Sequence, residues 1–82
     1  MDLVKMTEYL VKNLVTNKEE VTVKEFPSDD DKTIVIEVLV NEADIAKLIG
    51  RGGKTANAIR TLVQASSYLQ DNKRVKINIE SF

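Results

Sequence analysis

Apolar positions recur with helical spacing over residues 2–16, DLVKMTEYLVKNLVT, where Leu3, Met6, Leu10 and Leu14 fall along one side with Val4, Val11 and Val15 beside them. Asp2 is placed to cap the first turn, and Asn17-Lys18 fits the exit. The spacing then drops to two. Residues 20–26, EVTVKEF, alternate around Val21 and Val23 and predict a strand that Pro27 stops. Residues 33–40, TIVIEVLV, predict a more buried strand, with Ile34, Ile36, Val38 and Val40 on one face and Val35, Glu37 and Leu39 on the other. The intervening PSDDDK predicts an antiparallel hairpin. Its Asp29, Asp30 and Asp31 read as a solvated tip, since no EF-hand spacing follows.

Helical spacing returns over residues 42–49, at Ile45, Leu48 and Ile49. Asn41 is the expected cap, and Asp44, third in the helix, is expected to reach back to it as in a capping box. Gly50 stops this helix. Another is predicted from Gly53 to about Ser67, with Ile59, Leu62, Val63 and Ser66 on its apolar side and Ala56 beside them. After the polar turn QDNKR, residues 74–80 alternate Val75, Ile77 and Ile79 against Lys76, Asn78 and Glu80, which predicts a third strand. The order α-β-β-α-α-β contains no repeat and no linker. A helical crossover of about thirty residues favours a parallel pairing of the second and third strands with a right-handed connection. The expected product is one α+β domain over residues 1–82, a three-stranded mixed sheet with three helices on one face.

Composition removes whole classes of chemistry. The chain has no cysteine and no histidine, which excludes disulfides, thiol nucleophiles, Cys/His zinc sites and imidazole acid–base catalysis. No carboxylate, lysine or hydroxyl constellation adjoins the glycine-rich loop, so no enzyme and no small-molecule substrate or cofactor is expected. No apolar run approaches a membrane span, and acids in MDLVKMTEYL argue against a signal peptide, so a cytoplasmic protein is expected. The net charge is −1, but it is unevenly distributed. Residues 1–46 carry five lysines and eleven acids, a balance of −6; residues 47–82 carry seven Lys/Arg and two acids, a balance of +5. The asymmetry points to a basic face in the second half.

That half contains LIGRGGKTANAIR, residues 48–60. A nucleotide-binding P-loop would need a glycine where Leu48 stands and a strand where EADIAKLI is helical. A dinucleotide fingerprint would need glycine at Thr55. The segment instead reads helix, Gly-x-x-Gly, helix. Glycines let a phosphate backbone approach closely, and the loop opens a helix whose N-terminal N–H groups favour anions. Gly50, Arg51, Gly52 and Gly53 are the candidate phosphate clamp, with Lys54 as a further contact and Arg60 two turns on.

With VNEADIAKLIGRGGKTANAIRTLV between two strands, nearly the whole chain resembles the type II KH domain, and in length and pattern the small single-domain bacterial KH proteins of the KhpA family. Gly52 stands where a basic residue is common in that loop. The resemblance implies a non-catalytic module that clamps about four nucleotides of single-stranded RNA, with DNA as an alternative ligand, serving as a post-transcriptional regulator or RNA chaperone. It implies an apolar base groove, for which Ile45 and Ile49 are the leading candidates, with Leu48, Ile59, Val38 and Val40 also matching. Tyr9, Phe26, Tyr68 and Phe82 lie outside the motif, so aliphatic packing is expected to hold the bases. Lys73, Arg74 and Lys76 could extend the basic face. A homodimer, or a heterodimer with a larger Jag-like KH protein, is implied as well. The broad apolar arc Ala58, Leu62, Ala65 and Leu69 is its expected surface. The alternative function is a scaffold subunit for a larger RNA-binding partner.

Overall fold

A computed structural model describes residues 2–82. Helix α1 (Leu3–Lys12) opens on Asp2, whose Oδ1 accepts from the N–H groups of Val4 (2.9 Å) and Lys5 (3.3 Å). It ends earlier than its apolar spacing predicts, at Lys12 and not near Thr16. Asn13 turns its side-chain amide onto the Tyr9 carbonyl at 2.7 Å, beside its own backbone N–H at 3.2 Å, and the next N–H, of Leu14, tightens onto Val11 at 2.9 Å. The buried line is Leu3, Thr7 and Val11, continued by Val15 beyond the helix, whereas Met6 and Leu10 are half-buried and Leu14 is exposed. Thr7 sits inside because its hydroxyl donates to the Leu3 carbonyl at 2.8 Å.

Strands β1 (Thr22–Phe26) and β2 (Thr33–Val40) form the antiparallel hairpin, and β3 (Arg74–Ser81) lies parallel to β2, giving the order β1-β2-β3. The mixed α+β sheet and its three helices therefore match the expected architecture. Ile36, Val38 and Val40 of the central strand are wholly buried against the helices. Register carries the face assignment across the sheet, since Val23 pairs with Val38 and Ile36 with Ile77. These side chains meet Leu3, Val11, Leu48, Ile59 and Val63 from the helices in one core.

Helix α2 (Glu42–Ile49) is capped by Asn41, whose Oδ1 accepts from the Ala43 N–H at 2.7 Å. Asp44 does not reach back to that cap. It is buried and accepts from the N–H groups of Thr16 (3.0 Å) and Asn17 (2.8 Å) and from the Asn17 side-chain amide (2.9 Å). The carboxylate thus pins the α1–β1 connection to α2, satisfying a stretch of backbone that has no helix or strand partner. The Thr16 and Asn17 N–H groups, in that order, hold its carboxyl below the usual 3.8, against the opposing effect of burial. The stabilisation is complete above that ordinary value and is lost as pH falls through the lower folded-state value. Asp44→Asn is therefore expected to lower the urea midpoint at pH 7. The gap from wild type should close at strongly acidic pH, and a pH-independent gap would contradict the ionic role.

Helix α3 (Lys54–Gln70) runs about a turn beyond its predicted end. Its buried line is Ala56, Ile59, Val63 and Ser67, and not the Leu62–Ser66 side, because the Ser67 hydroxyl donates to the Lys73 carbonyl at 2.7 Å. Leu62 is exposed.

Candidate functional site

The loop between α2 and α3 is built from glycine stereochemistry. Gly50 has φ 75 and ψ 176, a region essentially closed to residues with a Cβ. A Cβ there would also press into Thr55, whose Cβ and backbone N would lie only 2.9 and 3.0 Å away. Gly52 (φ 64, ψ 19) and Gly53 (φ 78, ψ 11) are left-handed. A tight turn results: the Gly53 N–H donates to the Gly50 carbonyl at 3.2 Å, and the Lys54 N–H to the Arg51 carbonyl.

This turn delivers the chain into α3 with no side-chain cap on the helix. Arg51 and Lys54 are exposed. Among the described residues neither side chain makes an ion pair or hydrogen bond. Residues 45–60 carry Lys47, Arg51, Lys54 and Arg60 and no acid. Nothing local neutralises the positive end of the helix dipole, and the arrangement is chemically an anion cradle.

The apolar candidates separate. Leu48, Ile59, Val38 and Val40 are in the core, at most 3% exposed, and line no surface groove. Ile49 is exposed beside the loop, and Ile45, a turn earlier, is half-buried against the core. Because β2 is paired on both sides, only the edge strands β1 and β3 can flank a groove, and β3 is the one bonded to α3. Arg60 is held at this edge: its Nε donates to the Ile77 carbonyl (3.3 Å) and its Nη1 to Asn57 Oδ1 (3.2 Å). One turn later Gln64 accepts from the Val75 N–H (2.8 Å) and donates to the Lys73 carbonyl (2.9 Å). Helix and strand hence run antiparallel, side by side, and the cleft between them leads away from the glycine loop. Asn57 and Gln64 belong to this cleft and escape notice in the sequence, and Tyr68, read there as outside the motif, joins them, although the seven-residue spacing of Lys54, Thr61 and Tyr68 places those three on one helix face.

A family model described as KhpA/KhpB, KH domain, matches residues 4–79. The chain belongs to the KhpA/KhpB KH-domain family. Among curated relatives, the RNA-binding protein KhpA of Chlamydia trachomatis is 45% identical over 71 residues, covering 87% of each chain. KhpA of Borreliella burgdorferi is 36% identical over 93% of this chain and 89% of that one. KhpA of Clostridium perfringens is 36% identical over 90% and 95%. Among solved structures, Era of Aquifex aeolicus bound to GDP.AlF4- superposes with a TM-score of 0.71 at 18% identity, covering 98% of this chain and 30% of that one. Era in complex with MgGDPNP and nucleotides 1506–1542 of 16S ribosomal RNA gives 0.68 at 18%, covering 96% and 29%. The Era likeness concerns the fold, and the KhpA-like chain spans under a third of Era's length.

Proposed function

We propose that the protein is a non-catalytic single-stranded RNA-binding module whose Gly50–Gly53 loop clamps the sugar-phosphate backbone. The observation that carries this reading is the loop itself: three positive-φ glycines and the unpaired Arg51 at the uncapped start of α3. Membership of a family whose curated relatives are named RNA-binding proteins supports it. Ile49 supplies apolar contact beside the clamp, Ile45 backs it, and Lys54 and Arg60 follow the backbone. A post-transcriptional regulator or RNA chaperone in the cytoplasm is the role such a module fits.

Salt dependence tests the reading. Three phosphate contacts, by Arg51, Lys54 and Arg60, give an expected log–log slope of affinity against salt of about −2 for a single strand. Anisotropy of a labelled RNA between low and physiological salt measures it. No binding at low salt, or a flat slope, would remove the clamp reading.

The exposed apolar arc of α3 favours a second surface. Leu62 is 51% and Leu69 88% exposed, with Ala58 and Ala65 alongside. We infer that this arc joins a second copy or a larger Jag-like KH protein. Pairing would lengthen the RNA footprint and add avidity. Leu62→Asp/Leu69→Asp is expected to shift a dimer to monomer mass in sedimentation at tens of micromolar, with the fold retained. A wild type already monomeric there would count against self-pairing.

A further inference from the structure

The cleft between α3 and β3 widens, at the end away from the clamp, into an open hollow of about 460 Å³ lined by Arg60, Thr61, Gln64, Ala65, Tyr68 and Val75. Tyr68 is 54% exposed and contributes nothing to the core. It lies on the same helix face as Lys54 and Thr61, about 21 Å along the axis from Lys54 at 1.5 Å per residue. A strand held at the glycine loop and following α3 therefore arrives at this ring.

The chemistry of the lining specifies the occupant. Gln64 has both ends committed to the backbone of Lys73 and Val75, so it forms a fixed wall and reads no base edge. Arg60 uses Nε and one Nη1 donor on Ile77 and Asn57, leaving about three of its five N–H donors for an outside acceptor. From residue 45 to 79 the only acid is Asp71, so an anionic chain meets little repulsion. An exposed aromatic face beside a spare guanidinium, with the Gln64 amide withdrawn from base reading, is a stacking platform for a base whose phosphate sits on the cation. Leu62 and Leu69 lie about 100–120° round the helix from Tyr68, so the hollow and the inferred partner surface meet only at Ala65, which borders both.

We propose that this hollow is a sequence-tolerant base-stacking subsite, in which RNA leaving the clamp lays a base on Tyr68 and places a neighbouring phosphate on Arg60. The inference rests on the clamp reading and extends the footprint beyond the roughly four nucleotides a KH clamp holds.

The test compares randomised RNA pools of four and of eight nucleotides on wild type, Tyr68→Ala, Tyr68→Phe and the clamp variant Arg51→Asp/Gly52→Asp. Tyr68→Ala is expected to lose about tenfold in affinity for the eight-nucleotide pool and nothing for the four-nucleotide pool. Tyr68→Phe should bind as wild type. The chain has two tyrosines and no tryptophan, so Tyr9→Phe leaves Tyr68 as the sole tyrosine fluorophore. Its emission should be quenched by the eight-nucleotide pool alone. If Tyr68→Ala binds both pools as wild type while the clamp variant loses both, the subsite is wrong and the clamp stands. Equal loss in Tyr68→Phe, or a changed sedimentation mass in Tyr68→Ala, also overturns stacking. If neither variant affects binding, or wild type binds neither pool, clamp and subsite fall together.

Discussion

Arg51→Asp/Gly52→Asp should lower RNA affinity by roughly a hundredfold while the protein stays folded. The substitution changes the loop by about three unit charges. At about 4 Å and the dielectric of water, each unit is worth about 1 kcal/mol against one phosphate, so the total of about 3 kcal/mol exceeds two decades in affinity. Folding is spared for two reasons found in the loop. The Arg51 side chain makes no hydrogen bond or ion pair among the described residues. A Cβ at Gly52 would meet nothing within 4 Å, and its left-handed φ is one that Asp tolerates better than most residues. Anisotropy reports the affinity and urea unfolding the fold. Undiminished binding would take the phosphate from this loop, and coincident loss of both would make the loop structural.

Gly50→Ala is expected to be the most damaging single change in the loop, costing about 3 kcal/mol or more. It combines a backbone region that disfavours any Cβ, at about 1–3 kcal/mol, with overpacking against Thr55, at a similar cost. In a domain of this size the thermal midpoint falls about 4–8 °C per kcal/mol, so a drop of more than about 10 °C should appear by circular dichroism. Gly52→Ala, strained but sterically free, should cost only about 1 kcal/mol. Adding Thr55→Ala to Gly50→Ala should recover part of the loss, because the side-chain contact goes while the strained φ stays. Equal midpoints for the two glycine variants would contradict the close packing of Gly50 on Thr55.

Strands and caps are legible in the sequence, whereas two helix faces are misread for one physical reason. Alternation is unambiguous when a strand is as apolar as residues 33–40, and Asp2, Asn41 and Gly50 announce helix ends by local chemistry alone. Thr7 and Ser67 break the pattern. Both are polar by type yet fully buried, because each hydroxyl finds a backbone carbonyl within 2.8 Å. Following the apolar residues rotates the expected faces toward Met6 and Leu10 on α1 and toward Leu62, with Ser66 in place of Ser67, on α3. Asp44 misleads in the same way, since its partners lie 27 and 28 residues away. At the site, the loop is legible because Gly-x-x-Gly is local. The cleft is not, because Arg60 and Gln64 gain their roles only when β3 folds back beside α3.

The same two side chains also bear on how the sheet ends. Alternate residues of an edge strand turn their N–H and C=O groups outward, where another chain's strand can add to the sheet and begin an aggregate. Here Arg74 and Phe82 donate inward, to Lys32 and Val40, so Val75, Ile77, Ile79 and Ser81 face out. Gln64 already occupies the Val75 N–H and Arg60 the Ile77 carbonyl. A second molecule approaching edge to edge would have to displace two side chains. The β3 edge is thereby a poor template for growth of the sheet, and α3 acts as a guard rail along that strand.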